Sequence, residues 1–103
     1  MTTSPIELQS ARAMQVSISE DALAVDLTDG RSISVPLAWF PRLLNGLSEE
    51  RQNWRLIGGG QGIHWPDLDE DISLENLLLG RHSGESQTSF ARWLETRGSA
   101  TTR

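Results

Sequence analysis

A chain of 103 residues, 37% hydrophobic and 22% charged, has the length and balance of one soluble globular domain and leaves no room for two-lobed, multi-domain chemistry. The absence of cysteine excludes disulfide frameworks, thiol catalysis and thiolate-bound zinc. Net charge is −5, all nine basic residues are Arg, and the acids concentrate before residue 81; an acidic body argues against direct binding to a phosphate backbone.

Residues 1–10 carry neither the basic start nor the apolar stretch of a secretory signal, and no run of about 18 apolar residues provides a membrane span. A cytoplasmic chain without a membrane partner is the expectation, with residues 1–12 as a flexible N-terminus. Val16 and Ile18, then Leu23, Val25 and Leu27, then Ile33 and Val35 recur at period two and predict three short strands between Met14 and Val35. Asp29-Gly30 predicts a hairpin over 23–35 with both central turn residues at positive φ. Pro36 stops the second arm, and Leu37, Phe40, Leu43, Leu44 and Leu47 follow at helical spacing, a helix interrupted or started at Pro41.

Ser48 before Glu49, Glu50 and Arg51 reads as an N-cap with acids in the first turn, of a helix ending near Asn53. Trp54 and Leu56, then Ile63 and Trp65, flank Gly58-Gly59-Gly60-Gln61-Gly62 and predict two strands joined by a flexible glycine turn, the second ended by Pro66. Ile72, Leu74, Leu77, Leu78 and Leu79 predict a helix behind Ser73, entered through acids 67–71 and stopped at Gly80. Residues 81–88 have the composition of a linker, so the body is expected to end near 82. Phe90, Trp93, Leu94 and Arg97 then form one apolar stripe, too short to hold a helix unless it docks on this body, a second copy or a partner.

The hairpin Asp29-Gly30-Arg31, the segment from Val35 to Leu44, and above all Gly62-Ile63-His64-Trp65-Pro66-Asp67-Leu68-Asp69-Glu70-Asp71-Ile72-Ser73 resemble the bacterial domain of unknown function 2442. The resemblance covers residues 13–82, with 83–103 as linker and amphipathic C-terminal helix. It implies a small α+β domain without an established activity, fused in some members to a helix-turn-helix domain and encoded in others beside a small toxin. The 21 residues after position 82 are too few for a helix-turn-helix.

Motifs that could carry chemistry are incomplete. Asp67, Asp69 and Asp71 are spaced as the first three ligands of a calcium loop, but Ile72 stands at position six and Leu78 at position twelve, which suits a solvated helix entrance better. His64 falls on the strand face opposite Ile63 and Trp65; with Asp67 and His82 it can be drawn as a two-histidine, one-carboxylate metal site, against the simpler reading of a hydrogen-bonded surface histidine. The glycine run has neither a dinucleotide spacing nor the Lys-Ser/Thr of a phosphate loop, and no serine stands in a nucleophile elbow. No catalytic residue, metal or cofactor is expected.

The fold class expected is α+β: a small antiparallel β-sheet with two or three packed helices and a C-terminal helix on a short linker. The function expected is non-catalytic protein–protein interaction with a basic partner, antitoxin-like in its concrete version, with a homodimer as a further arrangement. Asp67, Asp69, Glu70 and Asp71 would supply the acidic face, Phe90 and Trp93 the apolar anchor, and His64 and Trp65 are further candidates. Trp39, Trp54 and Trp65 are expected to fill the core. Two alternatives stay open: a DNA-linked regulator touching phosphate through Arg92, Arg97 and Arg103, and a metal-dependent enzyme using His64 and Asp67.

Overall fold

The structure, a computed structural model, describes residues 11–101, with side chains described as far as Arg97. Of the predicted N-terminal segment 1–12, the part before residue 11 lies outside the described residues; Ala11 is buried and Arg12 is pinned to Thr28 by Arg12 N–Thr28 Oγ1 and Thr28 N–Arg12 O bonds of 3.0 and 2.9 Å.

The first sheet is an antiparallel meander of β1 (Ala13–Ile18), β2 (Ala22–Leu27) and β3 (Ser32–Pro36), in the order β1-β2-β3. Period-two alternation turns Leu23, Val25 and Leu27 inward, where Val16 sits opposite Val25 and Val35 opposite Leu23. The hairpin is present, but its turn differs from the expected one. Gly30, at φ 94°, is the loop's one residue with positive φ; Gly30 N bonds Leu27 O at 3.2 Å and Leu27 N bonds Arg31 O at 2.8 Å. That is a three-residue turn closed by a left-handed glycine. Asp29 stabilises it by accepting from the Arg31 backbone N at 3.1 Å and from Arg31 Nε at 2.8 Å.

The helical spacing after Pro36 is divided into a 3-10 turn, Leu37–Trp39, and the short α1 (Pro41–Leu44), followed by α2 (Ser48–Gln52). Phe40 is extended because the proline ring behind it disfavours helical backbone, and Pro41 then opens α1 at its first position. Leu37, Phe40 and Leu43 reach the core, whereas Leu44 and Leu47 stay exposed. Leu47, not Ser48, occupies the cap of α2, and its N–H is taken by Glu50 Oε1 at 2.8 Å.

The second sheet comprises β4 (Arg55–Ile57), β5 (Gly62–Trp65) and β6 (Glu70–Ser73), antiparallel in the order β4-β5-β6. Strand β6 takes in Glu70 and Asp71 and so corrects the helix entrance expected at residues 67–71. Ile72 pairs with Ile63, both buried, and Ser73 with Gly62, so cross-strand burial outweighs the local helical pattern. The helix α3 (Leu74–Leu78) starts one residue after β6; Ser73 Oγ caps it by accepting from Asn76 N at 3.1 Å, and Gly80, at φ 74°, follows its end. The glycine turn is a packed corner rather than a free loop: Gly60 lies against β1, where a Cβ would stand 2.7 Å from Ala13 O. Both sheets, Leu37, Phe40, Leu43, Leu68, Leu74 and Leu77 share one core.

The last element, α4 (Gln87–Thr101), lies against the same chain through Trp93, while Leu94 of its stripe stays exposed. The preceding segment is tied down by a 3.0 Å bond from Ser83 N to Trp39 O. Among the described residues no helix is long and apolar enough to cross a membrane.

Candidate functional site

The acidic segment is built around one buried side chain. Leu68 is wholly inside the core, which drives its neighbours Asp67 and Asp69 outward in the β5–β6 turn. Asp69 adopts a left-handed backbone at φ 50°, uncommon for a residue with a Cβ but better tolerated by Asp than by most. Arg42, from α1, holds this turn by donating from Nη1 to the carbonyls of Leu68 and Asp69 at 3.2 and 3.1 Å. Beyond the turn, strand alternation separates the next two acids: Asp71 faces His64 and accepts a hydrogen bond from its Nδ1, while Glu70 lies across from Trp65.

The four carboxylates expected as one face are therefore distributed. Asp69 is 91% exposed and 3.7 Å from Arg42 Nη1; Asp71 is 66% exposed; Asp67 accepts from Asn53 Nδ2 at 2.9 Å. Glu70 is half-buried, and burial pushes its carboxyl up to about 7, with Glu85, Asp71 and Asp69 adding to the rise and Arg42 opposing it. Glu70 lines a cleft of about 370 Å³ between β6 and residues 81–85, together with Asp69, Asp71, Glu85, Arg42 and Arg81.

The histidines do not converge. His64 is engaged by Asp71, while His82, on the cleft wall, stacks on Trp39 with ring centroids 4.1 Å apart and planes 19° apart. Among the described residues no group of three His, Asp or Glu side chains could hold a metal ion. Trp65 lies wholly in the core, its Nε1 donating to Arg51 O at 2.9 Å, and Trp39 and Trp54 pack half-buried against that core.

A second constellation binds the C-terminal segment to the body. Glu85 receives both prongs of Arg42, Nε–Oε1 at 2.9 Å and Nη2–Oε2 at 2.5 Å, and also the Ser89 hydroxyl at 2.6 Å. The Trp93 ring takes two guanidinium groups, with Arg42 Cζ 5.1 Å and Arg97 Cζ 4.7 Å from its centroid. Arg97 also forks onto Glu50 at 2.6 and 3.1 Å, and Phe90 stacks on Trp93 at 5.8 Å. These contacts hold both carboxyls below their usual range: Glu85 through the Arg42 fork and then the Ser89 hydroxyl, Glu50 through Arg97 and then the Leu47 N–H. Phe90 and Trp93, expected as an anchor for a partner, are engaged within this chain.

Arg42, Glu50 and Glu85 were not anticipated. They lie 43 and 47 residues from their partners along the chain, and no local spacing marks them. Of the arginines considered for phosphate contact, Arg92 is exposed, Arg97 is paired with Glu50, and Arg103 lies outside the described residues.

Comparison with known proteins places this architecture. No curated protein matches the chain. The crystal structure of a protein of unknown function from Rhodospirillum rubrum is 26% identical with a TM-score of 0.65, covering 76% of this chain and 96% of that one. The solution structure of an uncharacterized protein from Chromobacterium violaceum is 20% identical with a TM-score of 0.64, covering 84% of this chain and 80% of that one, and is similar in fold. The family model described as "Protein of unknown function (DUF2442)" matches residues 13–83, from β1 through the Trp39-bonded Ser83, and the chain belongs to that family.

Proposed function

We propose that the protein is a non-catalytic, cytoplasmic protein–protein interaction domain that takes a basic partner along the β5–β6 turn. The observation supporting this reading is the state of Asp69: its backbone is fixed by Arg42 while its carboxylate remains 91% exposed. Arg42 directs its strongest contacts to Glu85 and to backbone carbonyls, so the turn is rigid without its charge being consumed. Pre-placed acids of this kind accelerate encounter with a cationic surface and fix its register. The exposed surface of a small basic toxin is one partner chemistry that would fit, which gives the domain an antitoxin-like role.

The test starts with affinity capture from host cells and continues with association rates of the captured partner. The wild type is compared with a triple variant carrying Asp67→Asn, Asp69→Asn and Asp71→Asn. Glu70 is left in place, since its half-burial already disfavours the charged carboxylate. Raising salt should slow the wild type, because steering is screened over about 8 Å at physiological ionic strength. The variant should associate on the order of tenfold more slowly at low salt and respond little to added salt. A partner indifferent to both changes removes the acidic-turn mechanism.

A further inference from the structure

Strand β6 is an edge of the second sheet, and its register fixes which of its backbone groups face outward. Leu74 N bonds Gln61 O at 2.8 Å, in line with the pairs Ser73–Gly62 and Ile72–Ile63 that precede it. Bonded and non-bonded pairs alternate along an antiparallel ladder, so Ile72 and Glu70 exchange hydrogen bonds with β5. Asp71 and Ser73 then turn their N–H groups away from β5, and Asp71 its carbonyl as well. Among the described residues none takes these three groups. The carbonyl of Asp69, two residues earlier, already receives a guanidinium, Arg42 Nη1 at 3.1 Å.

This open edge borders the cleft of about 370 Å³. The side chains of Glu70 and Ile72 lie on one face of β6 and that of Asp71 on the other, so a cavity lined by all three follows the edge of the strand. The opposite wall is bonded elsewhere, Arg81 N to Asn76 O at 2.9 Å and Ser83 N to Trp39 O at 3.0 Å. The remaining strand edges differ. Gly60 lies against β1, and Gln52 Nε2 donates to Ile18 O at 3.3 Å. Strand β3 carries no charge and ends on Pro36, which has no N–H, and β4 has three residues.

Charge selects the occupant. Asp69, Glu70, Asp71 and Glu85 line the cleft against Arg42 and Arg81, and Arg42 is paired with Glu85. A second copy adding β6 to β6 about Asp71 would set like charges opposite each other, which is destabilising. An extended segment with Arg or Lys at alternate positions suits the edge: its cations fall beside Asp71 and the intervening aliphatic side chains beside Ile72.

We propose that the basic partner binds by strand addition, an extended segment of alternating cationic and aliphatic residues pairing its backbone with Asp71 and Ser73 on the free edge of β6. This rests on the reading that the β5–β6 turn takes a basic partner, and it adds the backbone pairing and the chemistry of the segment that pairs.

The test titrates the isotope-labelled full chain with the peptide acetyl-Arg-Val-Arg-Val-Arg-amide, with its Glu-for-Arg counterpart, and with two forms N-methylated on either the Arg or the Val amides. The Arg peptide should move the Asp71 and Ser73 amide signals and slow their exchange severalfold, leaving Ser32 and Ser34 on β3 unmoved. An Arg side chain placed beside Asp71 belongs to a residue whose own N–H points at β6. Methylation of the Arg amides should therefore abolish binding, and methylation of the Val amides should leave it nearly unchanged. Equal binding of the two methylated forms overturns strand addition, and the acidic-turn reading survives that result if the Glu peptide fails to bind. No binding of the Arg peptide, or equal binding of the Glu peptide, also overturns the proposal, and the association rates of the captured partner then decide the acidic-turn reading separately. Protection at Asp71 that grows with protein concentration in the absence of peptide overturns it in favour of a second copy.

Discussion

Arg42 and Glu85 meet as a two-pronged ion pair across 43 residues of sequence, and the same guanidinium also holds the carbonyls of Leu68 and Asp69 and lies over the Trp93 ring. One side chain thus joins the acidic turn to the C-terminal helix, and the two functions can be separated by mutation. Glu85→Gln removes the charge that anchors α4 but leaves Arg42 on the turn. Amide hydrogen exchange over residues 87–97 should accelerate by about tenfold or more, while β2 amides keep their protection. Arg42→Met should cost about 2–3 kcal/mol in global stability, because it also deprives two carbonyls of a donor and uncovers Trp93. Equal effects of the two variants in urea unfolding would show that Arg42 serves α4 alone.

The carboxyls of this region shift in opposite directions, which defines two pH windows. Glu70 is raised from an ordinary 4.5 to about 7, so between those values the folded state holds a proton that the unfolded chain has released, and stability declines as pH rises. Glu70→Gln should therefore stabilise the protein at pH 8 by about 1–2 kcal/mol, after allowance for solvent screening, and the gain should disappear at pH 4.5. Glu85 and Glu50 are lowered, so their contribution is complete above 4.5 and is lost as pH falls through their folded values. Trp93 should accordingly lose its packed environment in acid before the sheets unfold. Urea midpoints of wild type and Glu70→Gln from pH 4.5 to 8 test the first window, and the indole N–H signal of Trp93 followed by NMR beside that of the core Trp65 tests the second.

Much of the fold is legible in sequence where local signals and burial agree. The alternation through Val16, Leu23, Val25 and Val35, the stop at Pro66 and the Ser73 cap all have their physical cause within a few residues of themselves. Strand β6 was not legible, because Ile72 belongs equally well to a helical stripe and to a cross-strand pair, and only Ile63 on β5 decides between them. The same limit governs the site. The acids at 67–71 are conspicuous as a run, yet which of them faces water depends on Leu68 being drawn into the core and on Arg42 arriving from α1. Trp93 looked like an anchor for another molecule because what engages it is set from far along the chain: Arg42 comes from α1, and Arg97, one turn on in the same helix, is held by Glu50 of α2.

The corner between β4 and β5 shows how a residue without a side chain sets the relation of the two sheets. Gly58, Gly59 and Gly60 all have positive φ, but they differ in what surrounds them. At Gly59 a Cβ would meet nothing within 4 Å, so Gly59→Ala should cost only the left-handed backbone penalty of about 1–2 kcal/mol. At Gly60 a Cβ would stand 2.7 Å from Ala13 O and 2.8 Å from Arg12 Cβ; the carbonyl is backbone within β1 and cannot swing away. Gly60→Ala must therefore push β1 from the corner and should cost about 3 kcal/mol or more. The displacement should extend to α3, since Leu74 N bonds the carbonyl of Gln61, the next residue in the corner, at 2.8 Å. Urea unfolding of the two variants, with exchange at the Leu74 amide, distinguishes strain from collision: equal losses at Gly59 and Gly60 would mean that β1 does not press on the corner.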